Sequence, residues 1–402
     1  MESSAVEGAV SPLRAEVRNW LDEHWDAGAR RPKRDVAGGW RRVVVDAGWA
    51  APRWPERWGG RGLSDEDARV VEEEFNRVGA PGSGQDRGHV SANTLLTYGT
   101  DALKQEALIK LIAEETTTCL LYSEPGAGSD LAAVRTRADW NGEHWVINGH
   151  KIWTSGARTA EYGLLLARTD WERPKHQGLS FFFVPMKQPG IDIKPINQIT
   201  GDSHFNEVFL DDVAVPAANL LGELNDGWKV LLVGLAYERL IMGEGVGERR
   251  QGASKDDHNR IDLVAMAGEA GLLNDPRFRS DLAQVVAYRQ LNELNVARAK
   301  AELDRDKSSP VMSLSKLAMS RILHEEARVM TKILGARSML DGGSHGAAAD
   351  VNYRSANAYM TSIGGGTDQI QRNIIGEQVL GLPREHEADR QIPFRESLSG
   401  KG

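Results

Sequence analysis

Cysteine is nearly absent: Cys119 is the one thiol in 402 residues. An internal disulfide is therefore excluded, and the composition fits a reducing compartment. Long apolar runs are also missing. No stretch approaches the roughly 18 consecutive apolar residues that a spanning helix needs, so the sequence predicts no membrane span. The N-terminal stretch carries Glu2, Glu7, Arg14 and Glu16, with no basic region leading into an apolar one. It lacks the pattern of a secretion signal and points to the cytoplasm. Nor is there an excess of positive charge. The formal net charge of −8 argues against a general nucleic-acid binder.

What is present divides the chain by period. A length of 402 residues predicts two or three subdomains. Residues 1–115 read as helical. Ser11-Pro12 starts a helix with Leu13, Val17, Trp20 and Leu21 on one stripe, and Ser64 with Asp67 forms a capping box. Pro81–Gly84 breaks that second helix, and Leu103 to Ile112 is a short amphipathic one. His24 and His89 stand alone and read as packing or surface residues rather than ligands. Between residues 116 and 225 the period falls to two. Asn141-Gly142 and Asn148-Gly149 each lie between strand-like runs and signal hairpins. Further strands are expected at Leu164–Ala167, Leu179–Val184, Ile191–Pro195 and Glu207–Leu210. Residues 226–402 return to helix, with Asp226 as a cap, a long helix at Asp281–Asp304, and one opened by Ser309-Pro310. The last of these carries Leu314, Leu317, Ala318 and Ile322 on one face. The expected fold class is α+β: an N-terminal helical domain, a middle antiparallel β-barrel-like domain and a C-terminal helical bundle. The ends, 1–8 and 390–402, read as frayed.

Two features carry chemistry. Cys119-Leu120-Leu121 runs into Tyr122-Ser123-Glu124-Pro125-Gly126-Ala127-Gly128-Ser129-Asp130, a strand ending in a glycine-rich turn. Such a turn brings backbone N–H groups close to an anion and Ser129 adds a hydroxyl, although an ordinary turn has the same composition. The helix from Gly227 places Glu238 on one face with Leu231, Leu235 and Ile241. A carboxylate on an apolar stripe is either paired, here with the neighbouring Arg239, or poised as a general base by desolvation.

Four stretches occur in a telling order: 122–130, then Lys151-Ile152-Trp153-Thr154-Ser155-Gly156, then Leu220-Leu221-Gly222 with Gly227-Trp228, then Gly364-Gly365-Gly366-Thr367-Asp368-Gln369-Ile370-Gln371-Arg372-Asn373. In this order they resemble the flavin-dependent acyl-CoA dehydrogenases, over about residues 11–385. The resemblance implies bound FAD, an acyl-CoA substrate, an electron-transfer flavoprotein as acceptor and a homo- or heterotetramer. It implies that Tyr122 and Ser123 meet the pyrimidine edge of the flavin, Gly128 and Ser129 its pyrophosphate, Trp153 and Ser155 the ring, and Thr367 and Gln369 the rest of the cofactor. Most of the family carries its catalytic Glu directly before a Gly-Thr pair, where Gly365 stands here. A minority, including isovaleryl- and long-chain-type enzymes, carries it on a helix directly before an Arg, as Glu238-Arg239 does. The resemblance therefore implies Glu238 as the base. The Gly365 amide is then a donor to the thioester carbonyl, with Ser129, Arg239 and Gly366 at the substrate.

Two departures leave the cross-subunit contacts open. The Arg-x-x-Phe-Gly motif that follows the base-bearing helix is missing, and Lys332 stands where a Gln precedes Ile-Leu-Gly. This spacing resembles a bacterial branch, some of whose members act on sterol side chains as two-gene heterotetramers. Two other readings compete: an acyl-CoA oxidase or flavin monooxygenase on the same fold, and a structural subunit of a heterotetramer. Glu238 speaks against the monooxygenase, which needs no α-carbon base.

Overall fold

The computed structural model describes residues 11–33, 39–244, 262–306, 312–340 and 345–397. The chain divides into two compact units, one ending at Thr117 and one beginning at Thr118. The opened helix start at Ser309-Pro310 lies outside the described residues, as do residues 1–8.

In the first unit, α1 (Pro12–His24) begins where expected: the Ser11 side chain accepts from the Arg14 N–H. A short pair of strands, β1 (Trp25–Asp26) and β2 (Arg31–Pro32), follows it. Then come α2 (Gly39–Asp46) and α3 (Asp65–Val78), whose Ser64 side chain accepts from the Asp67 N–H. The short α4 (Gln85–Gly88), α5 (Val90–Tyr98) and α6 (Asp101–Ile112) complete it. Val17, Leu21, Val71, Phe75, Leu108 and Leu111 are fully buried. Both lone histidines have structural roles. His24 stacks on Trp20, and the His89 ring accepts from the Ala92 N–H at the start of α5. Glu74 is buried in α3 and accepts from Arg14, Arg18 and Arg77. Burial alone would raise its carboxyl, but the three guanidinium groups outweigh this and hold it down at about 2.

The second unit opens on the β sheet. Its strands are β3 (Thr118–Leu121), β4 (Arg137–Trp140), β5 (His144–Ser155), β6 (Tyr162–Arg168), β7 (Leu179–Pro185), β8 (Ile191–Pro195), β9 (Phe205–Pro216) and β10 (Leu220–Leu221). The order is β10-β7-β6-β4-β5-β9-β8, with β3 on β6. Most pairs are antiparallel, while β3 and β4 each run parallel to β6. Leu121, Ile147, Leu165, Phe182, Val208 and Val213 form its core. The Asn141-Gly142 hairpin joins β4 to β5, and the Asn141 side chain accepts from the Glu143 and His144 N–H groups. The expected hairpin at Asn148-Gly149 does not form. β5 runs straight through it, with a register shift against β9 between Ile147 and Gly149. Glycine is needed there because a Cβ on Gly149 would overlap the Thr136 side chain. A glycine inside a strand marks a bulge or a close approach, and here it marks both.

The helices that follow are α7 (Gly227–Glu244), α8 (Leu263–Glu269), α9 (Pro276–Asp306), α10 (Met312–Leu334), α11 (Gly346–Ile363) and α12 (Asp368–Ile374). α7 packs on β7, and Gly227 makes that approach possible, since a Cβ there would overlap the Ser180 backbone. α10 is the centre of the bundle and touches α7, α9, α11 and α12. Its buried face departs from the expected stripe. Ile322 is buried, but Leu314, Leu317 and Ala318 are only half-buried, while Ser313, Lys316 and Ser320 are fully enclosed. The neighbours on that side supply polar partners, which local periodicity does not reveal. Of the C-terminal stretch read as frayed, residues 390–397 are instead packed in, with Phe394 completely buried, and 398–402 lie outside the described residues.

Candidate functional site

The turn after β3 is closed by reciprocal bonds between Glu124 and Ala127, each 3.0 Å. Its position is set by Lys151, which is fully buried in β5. The Lys151 Nζ donates to the Tyr122 carbonyl at 3.0 Å, to Glu124 Oε1 at 2.8 Å and to the Leu166 carbonyl at 2.8 Å. Glu124 in turn accepts from the Arg135 and Thr136 N–H groups at 2.7 and 2.8 Å. Burial alone would raise the Glu124 carboxyl. The Lys151 ammonium and these donors outweigh it and hold Glu124 below the usual carboxylate range. Burial pulls the Lys151 amine down, and Glu124 opposes that pull.

This knot brings two of the sequence motifs side by side. The Ile152 N–H donates to the Ser123 carbonyl at 2.9 Å, so residues 122–124 lie along residues 150–153. Immediately beyond, β5 loses register against β9 between Lys151 and Thr154. Trp153 sits in that irregularity with φ of 62° and with 56% of its surface exposed. A left-handed Trp is strained, and such strain persists only where the surroundings impose it. The effect is to turn a large ring outward beside the turn. Ser155 and Gly156 follow it, also exposed. Tyr122 is buried, Ser123 half-buried, and Gly128 and Ser129 exposed. Cβ atoms built at Gly126, Gly128 and Gly156 would meet nothing within 4 Å, so open space adjoins each of them. A cleft of about 350 Å³ in the same sheet is lined by Pro125, Gly126, Arg135 and His150 among others, but by none of Ser129, Trp153 and Ser155. It shares Glu124, Pro125 and Gly126 with the turn.

The fourth motif forms the joint between α11 and α12. The Gly364 N–H closes α11 on the Met360 carbonyl at 2.7 Å. Gly365 and Gly366 take φ of 63° and 80°, values that glycine adopts without strain. The Gly365 carbonyl accepts from Gln371 Nε2 at 3.1 Å. The Thr367 side chain caps α12 by accepting from the Ile370 N–H, and Gln369 is exposed. Asp368, in the first turn, accepts from the enclosed Lys316 at 3.2 Å and from Ser320 at 2.8 Å. The loop is therefore anchored through α10 rather than free to flex.

Glu238 and Arg239 lie on α7, Glu238 two turns beyond buried Leu231. Their side chains lie outside the described residues. Three structural residues were missed in the sequence: Lys151, Arg168 and Lys316. The signal for Lys151 was available, because period-two alternation places it inward with Trp145 and Ile147. For Lys316 no local signal exists, since its partner Asp368 lies 52 positions away.

The donor set suits a flavin dinucleotide. An outward Trp ring offers an apolar plane, Ser123 and Ser155 lie near it in the chain pairing and offer hydroxyls, and an exposed Gly-x-Gly-Ser turn offers N–H and O–H donors to a diphosphate. Among the described residues, no group of three or more His, Cys, Asp or Glu could hold a metal ion.

Three family descriptions match along the chain: acyl-CoA dehydrogenase N-terminal domain at residues 9–115, middle domain at 119–213 and C-terminal domain at 225–380. The acyl-CoA dehydrogenase IpdE1 of Mycolicibacterium smegmatis is 35% identical over 402 residues, covering 94% of this chain and 98% of its own. Among solved structures, the Tcur3481-Tcur3483 steroid ACAD is 31% identical with a TM-score of 0.69, over 96% of this chain and 99% of its own. The ChsE4-ChsE5 complex from Mycobacterium tuberculosis is 29% identical with a TM-score of 0.63, over 94% and 100%.

Proposed function

The chain belongs to the acyl-CoA dehydrogenase family, and we propose that it desaturates an acyl-CoA thioester to the trans-2-enoyl-CoA with FAD as its cofactor. The observation that supports this most is the pairing of residues 122–124 with 150–153, which sets an outward, left-handed Trp153 beside the strand end that leads into the Gly128-Ser129 turn. In this reading Tyr122, Ser123, Trp153 and Ser155 hold the flavin ring, Gly128 and Ser129 the diphosphate, and Thr367 and Gln369 the remainder. FAD, when bound, supplies the acceptor for the hydride leaving the β-carbon. Glu238 takes the α-proton. The Gly365 N–H holds the thioester carbonyl and stabilises the charge that develops on it. Arg239, next to the base on α7, and Ser129 and Gly366 adjoin the substrate. Electrons pass on to an electron-transfer flavoprotein, and the buried single thiol suits a cytoplasmic site.

A structural relative is named a steroid ACAD. That favours a bulky substrate and calls for a thioester panel extending to steroid side chains. The test is anaerobic bleaching of the bound flavin by that panel, with Glu238→Gln beside the parent. Loss of a general base lowers rates by roughly 10²–10⁴-fold. Bleaching of Glu238→Gln within about threefold of the parent rate would refute the assignment.

A second reading has its own support: both titled structural relatives are named as pairs of chains. Here the chain acts within a heterotetramer. A colourless product that turns yellow on co-expression with a neighbouring gene's product would favour it.

A further inference from the structure

The segment after α12 returns to the β sheet. The Phe394 N–H donates to the Arg173 carbonyl at 2.9 Å and the Arg395 N–H to the Trp171 carbonyl at 3.1 Å. Arg395 pairs with Glu172 at 2.8 Å, and Glu387 lies 3.4 Å from Lys175 Nζ. The Phe394 ring is fully buried, and the Arg168 guanidinium lies 3.5 Å from its centroid. Arg168, at the end of β6, is itself fully buried. Its Nη2 donates to the Ala132 carbonyl at 2.7 Å, Nε to the Val134 carbonyl at 3.1 Å and Nη1 to the Lys175 carbonyl at 3.2 Å. Lys175 Nζ reaches both carboxylate oxygens of Asp130, at 3.2 and 3.1 Å.

The segment 130–134 follows directly on Gly128-Ser129, and its only regular structure is the single 3-10 turn Leu131–Ala133. It hangs instead from two cations, and the tail backs both: Phe394 covers Arg168 and Glu387 faces Lys175. A guanidinium over an aromatic face is held there by the ring's quadrupole, and the ring keeps water from competing for its carbonyl partners. We propose that the C-terminal strap, through Phe394 and Arg168, is the positioning element of the 128–134 loop and thereby sets affinity for the diphosphate of a dinucleotide. This rests on the reading of Gly128-Ser129 given above.

The test uses the full chain, with its co-expressed partner if one is needed, stripped of flavin. Amide hydrogen exchange is followed over 130–134, and the FAD dissociation constant is read from flavin fluorescence. Phe394→Ala is expected to speed exchange over 130–134 at least about tenfold, leave β5 and β9 unchanged, and weaken FAD at least about tenfold, about 1.4 kcal/mol. Phe394→Leu, which keeps most of the apolar cover but not the ring face, should restore both in part. Arg395→Ala, at an exposed position, gives a smaller change in the same direction should Phe394→Ala fail to fold. Unchanged exchange over 130–134 in every strap variant overturns the proposal, as does exchange that rises equally in β5 and β9. Faster local exchange with unchanged FAD affinity, while Ser129→Ala weakens FAD, overturns the coupling but leaves the cofactor reading intact. FAD affinity indifferent to Ser129→Ala as well overturns both.

Discussion

A buried charge with a single carboxylate partner is the most exacting feature at the scale of residues. Lys151 makes three bonds and Glu124 accepts three, so removing either strands the other in the interior. Breaking such a pair from one side costs about 3–5 kcal/mol, whereas replacing both partners costs much less. Lys151→Met should therefore lower urea stability at pH 7 by about that amount, and adding Glu124→Gln should recover part of it. Glu74 gives a pH dependence. Its folded value of about 2 lies below the ordinary 4.5, so its stabilisation is complete above about pH 4.5 and is lost as pH falls toward 2. Glu74→Gln should remove the acid-labile part of the first unit's stability between those limits, read by circular dichroism. Cys119 is buried in β3, and burial pushes its thiol up to about 12. It should stay unreactive toward a thiol reagent at pH 8 until the protein unfolds.

Among the elements, the α11–α12 joint is the most constrained. Gly365 at φ 63° accepts a bond from Gln371, and the α12 that follows is fixed to α10 by Asp368 with Lys316 and Ser320. A side chain at that φ costs about 1 kcal/mol. Gly365→Ala should keep the flavin, lose about 1 kcal/mol of stability and slow anaerobic bleaching. The same strain bears on moving the base. Glu238→Gln combined with Gly365→Glu should recover only part of the bleaching rate, because the new carboxylate must be carried on a left-handed residue. The polar stripe Ser313-Lys316-Ser320 was not legible in the sequence of α10. A helix buries whichever face its neighbours can satisfy, and here α12 supplies Asp368 while α11 supplies Ser362. Leu314 and Leu317, the stronger apolar signal, are left half-buried.

For the whole molecule, the second unit carries exposed large apolar groups on its helices: Leu291 and Leu294 on α9, Tyr359 and Ile363 on α11, and Leu380 and Leu382 beyond α12. These groups are candidates for contact with other chains, if they join into one patch. The family resemblance implies a tetramer, homomeric or heteromeric, which light scattering is expected to show; a monodisperse monomer with full flavin occupancy would contradict it.

The sequence by itself determined the class of each segment and the order of the motifs. Period, caps and the Asn141-Gly142 turn act through bonds between near neighbours, as at Ser11, Ser64 and Thr367. The order of four motifs was enough to identify the family, because each keeps its residues within a short stretch of chain. Tertiary structure decided what depends on distant partners. Asn148-Gly149 became a bulge because Thr136 occupies the space of a side chain. Trp153 turned outward because β5 loses register against β9 at that point. The tail was drawn in because Arg168 offers Phe394 a buried cation. None of these is encoded within a few residues of where it acts, since burial and pairing are properties of the assembled surfaces.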